Sequence, residues 1–88
     1  MADRDVVLYS TDWCPWCTVA RRLLERRGIP FREVDLTARP TERQELRQRT
    51  GRRTVPQIFI DGRHVGGCDD LHDLDAAGGL DPLLAGKA

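Results

Sequence analysis

Residues 5–27, DVVLYSTDWCPWCTVARRLLERR, pass from a short apolar run into an amphipathic one and set the architecture of the chain. Residues 5–9 form a continuous, largely β-branched run, which predicts a buried strand. Residues 15–27 carry apolar side chains at helical spacing on one face: Val19, Ala20, Leu23 and Leu24. The sequence therefore predicts a strand that leads through a short loop into a helix, which Gly28 and Pro30 end.

The alternation of strand and helix continues to residue 51. Residues 31–36 alternate apolar and polar side chains, which predicts a second strand. Thr41 followed by Gln44 forms a capping box, which predicts a polar helix that opens there and stops at Gly51. A strand, a helix and a second strand in this order predict a parallel pair joined by a helical crossover.

A β-hairpin is predicted next. Residues 57–60 and 63–66 are two short strand-like runs, joined by Asp61-Gly62. An Asp-Gly pair between two such runs is the strongest short-range hairpin signal. Because hairpin strands are antiparallel, the predicted sheet contains both parallel and antiparallel pairs.

Two helical segments are predicted after the hairpin. Asp69 or Asp70 is the predicted cap of a short helix closed by Gly78, and Asp81 with Pro82 predicts a last helical turn. The complete order is βαβαββα plus a C-terminal helical turn. It predicts an α/β fold, with a four-stranded mixed sheet flanked by helices.

Length and composition limit the class of protein. A chain of 88 residues is expected to form one small domain, residues 1–88. Its 14 Lys/Arg and 14 Asp/Glu cancel, which argues against general nucleic-acid binding. The uncharged apolar runs of the chain, such as Val6-Val7-Leu8, are too short for a membrane-spanning helix. The charged residues 1–5 do not resemble a secretory signal, so a cytoplasmic location is expected.

The charges are unevenly distributed along the chain. Residues 1–53 carry 12 Lys/Arg and 8 Asp/Glu, a net of +4, whereas residues 54–88 carry 2 and 6, a net of −4. Most of these charges are expected on solvated helix faces. Local fields of opposite sign also fit a ligand that has both anionic and cationic ends.

Two of the three cysteines, Cys14 and Cys17, occupy the predicted junction between the first strand and the first helix. The unpaired N–H groups and partial positive charge of a helix N-terminus stabilise a thiolate. Cys14 is therefore the predicted nucleophile, with the N–H groups of Trp16 and Cys17 as donors to its sulfur. Pro15 suits the first helical position, where no N–H is needed. Cys17, one turn along, is predicted to be less exposed and close enough to form a disulfide with Cys14.

A metal site is the alternative interpretation of this cysteine pair. Its two thiols, with His64, Cys68 and His72, would supply enough ligands for zinc. Pro15 and Trp16 between the thiols fit a helix start better than a zinc-binding turn. We expect His64 at an exposed strand position and His72 on a solvated helix face.

Three segments together resemble the small dithiol glutaredoxins along almost the whole chain. They are CPWC at residues 14–17, TVPQIFIDG at 54–62 and GGCDDL at 66–71. The resemblance implies a thioredoxin-like fold and a glutathione-dependent thiol–disulfide oxidoreductase that works through Cys14 and Cys17. Its implied substrates are protein disulfides and protein–glutathione mixed disulfides. Glutathione is the implied electron donor, kept reduced by glutathione reductase and NADPH, and the implied protein is a monomer without metal, nucleic-acid or membrane partners.

The resemblance also implies a glutathione-binding site, made of Trp16, Arg43, Thr54, Val55, Pro56, Gly67, Cys68, Asp69 and Asp70. Pro56 matches the family's cis-proline, which turns the backbone of Val55 toward the cysteine of glutathione. The N–H groups of Cys68 and Asp69 open a helix and suit the γ-glutamyl carboxylate. Asp69 or Asp70 is the implied partner of the glutathione ammonium group.

The glycyl carboxylate of glutathione requires a cation, and here the chain departs from the family. The family commonly has a lysine three residues before the first cysteine, where this chain has Thr11. Arg43, on the predicted second helix, is the expected replacement. Arg52 or Arg53 is the other arginine expected within reach of the same carboxylate.

Trp16 replaces the tyrosine usual in the family motif, and we expect it to contact substrate, whereas Trp13 is expected to pack internally. Cys68 is expected to be non-catalytic. Two other activities fit the same motif. One is a redoxin that takes electrons from thioredoxin reductase, and the other is a module that binds an iron–sulfur cluster bridged by glutathione.

Overall fold

The computed structural model describes residues 5–12 and 14–84, so the packing expected of Trp13 lies outside the described residues. The elements are β1 (Val6–Ser10), α1 (Pro15–Arg26), β2 (Arg32–Asp35), α2 (Pro40–Thr50), β3 (Gln57–Ile60), β4 (Arg63–Gly66), α3 (Cys68–Ala76) and α4 (Leu80–Leu84). Within these described ranges, no helix is both long enough and apolar enough to cross a membrane.

The four strands form one sheet in the order β2-β1-β3-β4. β1 pairs with β2 in parallel and with β3 in antiparallel, and β3 pairs with β4 in antiparallel. Asp61 and Gly62 have φ angles of 51° and 79°, as a two-residue hairpin turn requires. The predicted four-stranded mixed sheet is confirmed, and the hairpin has the predicted bounds.

Apolar side chains cover both faces of the sheet. On the face that packs against α1 and α3, the fully buried side chains are Leu8, Leu23, Leu24, Ile58 and Leu71. On the opposite face, α2 buries Leu46 against Phe59, Val7 and Leu36. The sheet therefore forms the middle layer, and the carboxyl end of β1 leads from it directly into the loop before Cys14.

The predicted starts of α2 and α3 are wrong by one to three residues. α2 begins at Pro40, because a proline is already shaped for the first helical position, and the capping box expected at Thr41 and Gln44 therefore does not open the helix. α3 begins directly after Gly67. Asp70 lies at the third helical position, where its carboxylate accepts the Gly67 N–H at 2.9 Å, so the cap lies N-terminal to both predicted aspartates.

The start of α4 also differs from the prediction. α4 begins at Leu80, so that Asp81 and Pro82 lie inside its first turn rather than at its cap and first position. Leu80 is buried in the core cluster beside α3. α4 therefore begins one residue before Asp81, the predicted cap, and its first residue, Leu80, is buried.

Candidate active site

Cys14 lies at the N-cap of α1, between that helix and the loop that precedes β3. Its Sγ accepts the backbone N–H of Cys17 at 3.2 Å, and its thiol donates to the carbonyl oxygen of Val55 at 3.5 Å. Of the two predicted N–H donors, Cys17 is the one that contacts the sulfur. Cys14 is partly exposed, so the helix N-terminus presents a thiol that a substrate can reach.

Cys17 lies one turn further into α1, and only 1% of its surface is exposed. Burial, and then the hydrogen bond with Cys14, raises the pKa of Cys17 to about 12. Both cysteines are free thiols. The arrangement thus pairs an accessible sulfur with a buried, protonated one, as the sequence predicted for their exposure.

A cavity of about 360 Å³ lies beside this pair, across the loop before β3. The described residues that line it are Trp16, Arg52, Thr54, Val55, Pro56, Gly67, Cys68, Asp69 and Asp70. Eight of the nine residues predicted for the glutathione site are therefore brought together around one cavity. Trp16, one of these lining residues, is 61% exposed. The Val55–Pro56 peptide bond is cis, as the resemblance implies.

Arg43 is the predicted residue that the structure does not bring to this cavity. Its place on α2 leaves it exposed and outside the described lining residues. Arg52, in the segment after α2, lines the cavity instead. The position of Arg52 depends on how the chain leaves α2, which a linear pattern of arginines does not indicate.

Two opposite charges meet at the rim of the cavity. Arg52 Nη1 lies 2.6 Å from Asp70 Oδ2, which also accepts the Gly67 N–H. The Arg52 guanidinium, together with that N–H, lowers the pKa of Asp70, so its carboxylate is ionised at neutral pH. A Cβ atom added at Gly66 would overlap the Asp70 carboxyl, and one added at Gly67 would lie 3.3 Å from the Pro56 carbonyl. The two glycines thus allow the close packing of the rim.

A second cleft, of about 440 Å³, lies on the other side of Cys14. It includes Thr11, the residue at the position where the resemblance expects lysine, and an ion pair between Arg21 and Glu33. Ser10, at the end of β1, donates to Glu33 at 2.6 Å. Along this cleft, Glu33 of β2 is thus joined to Arg21 of α1 and to Ser10 of β1.

The described side chains do not assemble the zinc site considered above. No group of three or more His, Cys, Asp or Glu residues lies close enough among them to hold a metal ion. His64 is half-buried and bonds Gln57, so the exposed position expected for it is wrong. His72 is also partly buried, and its Nε2 has no hydrogen-bond partner among the described residues. Burial raises the pKa of Cys68, which disfavours its thiolate.

An accessible thiol at a helix N-terminus, one turn from a buried thiol, defines a site for thiol–disulfide exchange on a thioredoxin-like fold. The glutaredoxin family model matches residues 6–65. The chain belongs to the glutaredoxin family, whose members are thiol–disulfide oxidoreductases.

Known glutaredoxins are similar to this chain over most of its length. Glutaredoxin 3 of Escherichia coli strain K12 is 51% identical over 80 residues, which is 91% of this chain and 96% of that protein. The solution structure of a glutaredoxin from Brucella melitensis has a TM-score of 0.83 and 51% identity, over 91% of this chain and 87% of that one. A crystal structure of a buckwheat glutaredoxin–glutathione complex has a TM-score of 0.85 and 30% identity, over 98% and 81%.

Proposed function

We propose that this protein uses glutathione to reduce protein disulfides and protein–glutathione mixed disulfides through Cys14 and Cys17. The observation that carries the proposal is the position of the Cys14 sulfur, 3.5 Å from the carbonyl of Val55 in the loop that lines the cavity. The buckwheat relative crystallised with glutathione supports the choice of ligand.

Removal of glutathione from a protein needs two exchanges. The Cys14 thiolate attacks the glutathione sulfur of the mixed disulfide, so that a Cys14–glutathione bond forms and the protein leaves as a thiolate that takes a proton. A second glutathione thiolate then attacks the bound glutathione sulfur. Oxidised glutathione leaves, and the electron pair returns to the Cys14 sulfur, which regains its contact with the helix N-terminus.

A protein disulfide requires the second cysteine. After Cys14 has formed a mixed disulfide with the protein, the Cys17 thiol loses its proton and attacks the Cys14 sulfur. The protein leaves as a thiol, and Cys14 and Cys17 form a disulfide that two glutathione molecules reduce. The closeness of the two residues, with the Cys17 N–H on the Cys14 sulfur, supports this step.

The charged ends of glutathione match the rim of the cavity. The first N–H groups of α3 suit the γ-glutamyl carboxylate, and Asp69 or Asp70 suits its ammonium group. Arg52, which the sequence offered beside Arg43, is the cation proposed for a carboxylate of glutathione. The backbone of Val55 is the proposed partner of the glutathione cysteine.

The test is a disulfide-reduction assay coupled to glutathione, glutathione reductase and NADPH. Cys14→Ser should abolish activity, because the other two thiols, those of Cys17 and Cys68, are buried. Cys17→Ser should still remove glutathione from a glutathionylated peptide but lose the reduction of protein disulfides. Cys68→Ser, which removes a buried thiol of the same cavity, is the matched control and should stay active. An active Cys14→Ser would overturn the proposal.

Two further arms separate the other activities that the motif allows. Replacing glutathione and its reductase by thioredoxin reductase should stop turnover, because the proposed electron donor, glutathione, is then absent. Visible absorption and metal analysis of freshly purified protein should detect no cluster. Turnover with thioredoxin reductase alone, or a coloured protein with stoichiometric iron, would contradict the proposed electron donor or the proposed enzymatic role.

A further inference from the structure

Gln57 is a fully buried amide at the start of β3, directly after the loop that lines the cavity. None of its surface is exposed. Its Nε2 donates to the carbonyl oxygen of Thr54 at 3.0 Å and lies 3.4 Å from the Thr54 Oγ1. A buried amide needs partners for both its N–H₂ group and its oxygen. Thr54 satisfies the first of these.

His64 on β4 satisfies the second. Its Nε2 lies 2.6 Å from the Oε1 of Gln57. Because the carbonyl of Thr54 only accepts, the N–H₂ group of Gln57 must face it, which leaves Oε1 for His64. His64 Nε2 therefore carries the proton and donates it. The ring is held 5.0 Å from the Phe59 ring, and burial, with the nearby charge of Arg52, lowers the pKa of His64 so that it is neutral at pH 7.

The Thr54 carbonyl that Gln57 holds belongs to the same peptide group as the N–H of Val55. That peptide bond is trans, so its C=O and N–H point in opposite directions. Since the carbonyl of Thr54 points at the buried Gln57, the N–H of Val55 points away from the buried amide. The carbonyl of Val55 meanwhile accepts from the Cys14 thiol at 3.5 Å. The orientation of this one loop thus sets both backbone groups of Val55.

We propose that Gln57 and His64 are positioning residues that fix the Thr54–Val55 peptide plane, so that the Val55 N–H meets the backbone of the bound substrate. They form a hydrogen-bond chain from β4 through β3 to the loop. Neither is among the described residues that line the cavity, so they act through Thr54. The inference rests on the proposed function, since it requires an extended peptide thiol such as glutathione as the ligand.

Two single variants test the chain of hydrogen bonds. Gln57→Leu removes the amide at similar volume, and His64→Phe keeps an aromatic ring on Phe59 but removes the Nε2 donor. Each should raise KM for a glutathionylated peptide about five- to ten-fold, with a smaller change in kcat, as the loss of one well-placed hydrogen bond predicts. The alkylation rate of Cys14 should change less than KM, because the Cys17 N–H still contacts its sulfur. Ile60→Val, buried in the same strand away from the loop, should lower Tm without raising KM.

The double variant Gln57→Leu/His64→Phe separates positioning from stability. Leaving one partner unpaired costs more than removing both, so the double variant should recover part of the Tm lost in Gln57→Leu. Its KM should remain as high as in Gln57→Leu, because both residues act on the same peptide plane. A KM that recovers together with Tm would overturn the proposal.

A wild-type KM in either single variant would also overturn it, and His64→Phe alone decides if Gln57→Leu does not fold. The half-buried position of His64 makes that variant the milder of the two. If the unmodified protein does not turn over the glutathionylated peptide at all, the proposed function fails. If it does so while either variant keeps the wild-type KM, only the positioning role fails.

Discussion

Cys14 and Cys17 lie one helical turn apart, yet their sulfurs differ in exposure. Cys14 is partly exposed, whereas Cys17 is 1% exposed with its pKa raised to about 12 by burial. At pH 8, a thiol with so high a pKa is almost entirely protonated. Cys68 is 7% exposed, and burial raises its pKa as well. Of the three cysteines, Cys14 is therefore the one whose thiol is most accessible to a reagent.

We predict that iodoacetamide labels the reduced protein at Cys14 about one hundred times faster than at Cys17 or Cys68, because the Cys14 sulfur is accessible, whereas the other two thiols are buried and have raised pKa values. Peptide mass mapping after timed quenching at pH 8 measures the three rates. The Cys14→Ser variant should remain almost unlabelled on the same timescale. Comparable labelling of the two buried cysteines would contradict this assignment.

Glu33 joins three secondary-structure elements beside the active-site loop. Arg21 of α1 donates to its carboxylate at 2.8 and 2.6 Å, and Ser10 of β1 donates at 2.6 Å. The side chains of Arg21 and Glu33 are each about 70% buried, so solvent screens this ion pair only in part. The Arg21 hydrogen bonds, followed by the one from Ser10, lower the pKa of Glu33 below its ordinary 4.5.

We predict that Glu33→Gln lowers the free energy of unfolding by about 1 kcal/mol at pH 7, since a bidentate arginine pair is lost. A carboxylate with a lowered folded-state pKa contributes stability above its unfolded value, about 4.5 here, and this contribution is lost as pH falls through the folded value. In urea unfolding, the difference between the two proteins should therefore shrink as the pH is lowered below about 4.5. Glu45→Gln on the exposed side of α2 is the control. A difference that stays constant as the pH falls below that value would contradict the linkage.

Local signals explain which elements the sequence predicts well. The hairpin depends on two adjacent residues, Asp61 and Gly62, and its strands have the predicted bounds. Helix starts depend on which of several neighbouring cap signals prevails. Pro40 prevailed over the Thr41 capping box, and Asp70 acted from the third position of α3 rather than as the cap.

Side chains that reach across the fold are harder to predict. Gln57 reads as one polar residue at the edge of the apolar run QIFI, and nothing in the linear pattern pairs it with His64, seven residues later. Arg52 is one of several arginines in its part of the chain, and only the tertiary fold brings it to Asp70. A polar residue inside an otherwise apolar strand is the signal that points to Gln57.

The zero net charge of the chain conceals two halves of opposite sign that meet at the cavity. Arg52 belongs to the +4 part of the chain and Asp70 to the −4 part, and the two lie 2.6 Å apart at the rim. Both side chains are more than 40% exposed, so their pairing contributes little to folding stability. A ligand with a carboxylate and an ammonium group can exchange partners with this pair at little cost in stability.

We predict that Arg52→Gln raises KM for glutathione about three- to ten-fold at low salt while changing Tm little, because an exposed ion pair is worth about 1 kcal/mol or less. The rise in KM should shrink in about 0.5 M salt, because salt at that concentration screens the charges at the rim. Arg43→Gln removes an equal charge from α2, outside the described cavity lining, and should keep the wild-type KM. Steady-state kinetics of both variants at two salt concentrations decide between them. A raised KM in Arg43→Gln with a normal Arg52→Gln would place the glycyl carboxylate on α2, as the sequence alone predicted.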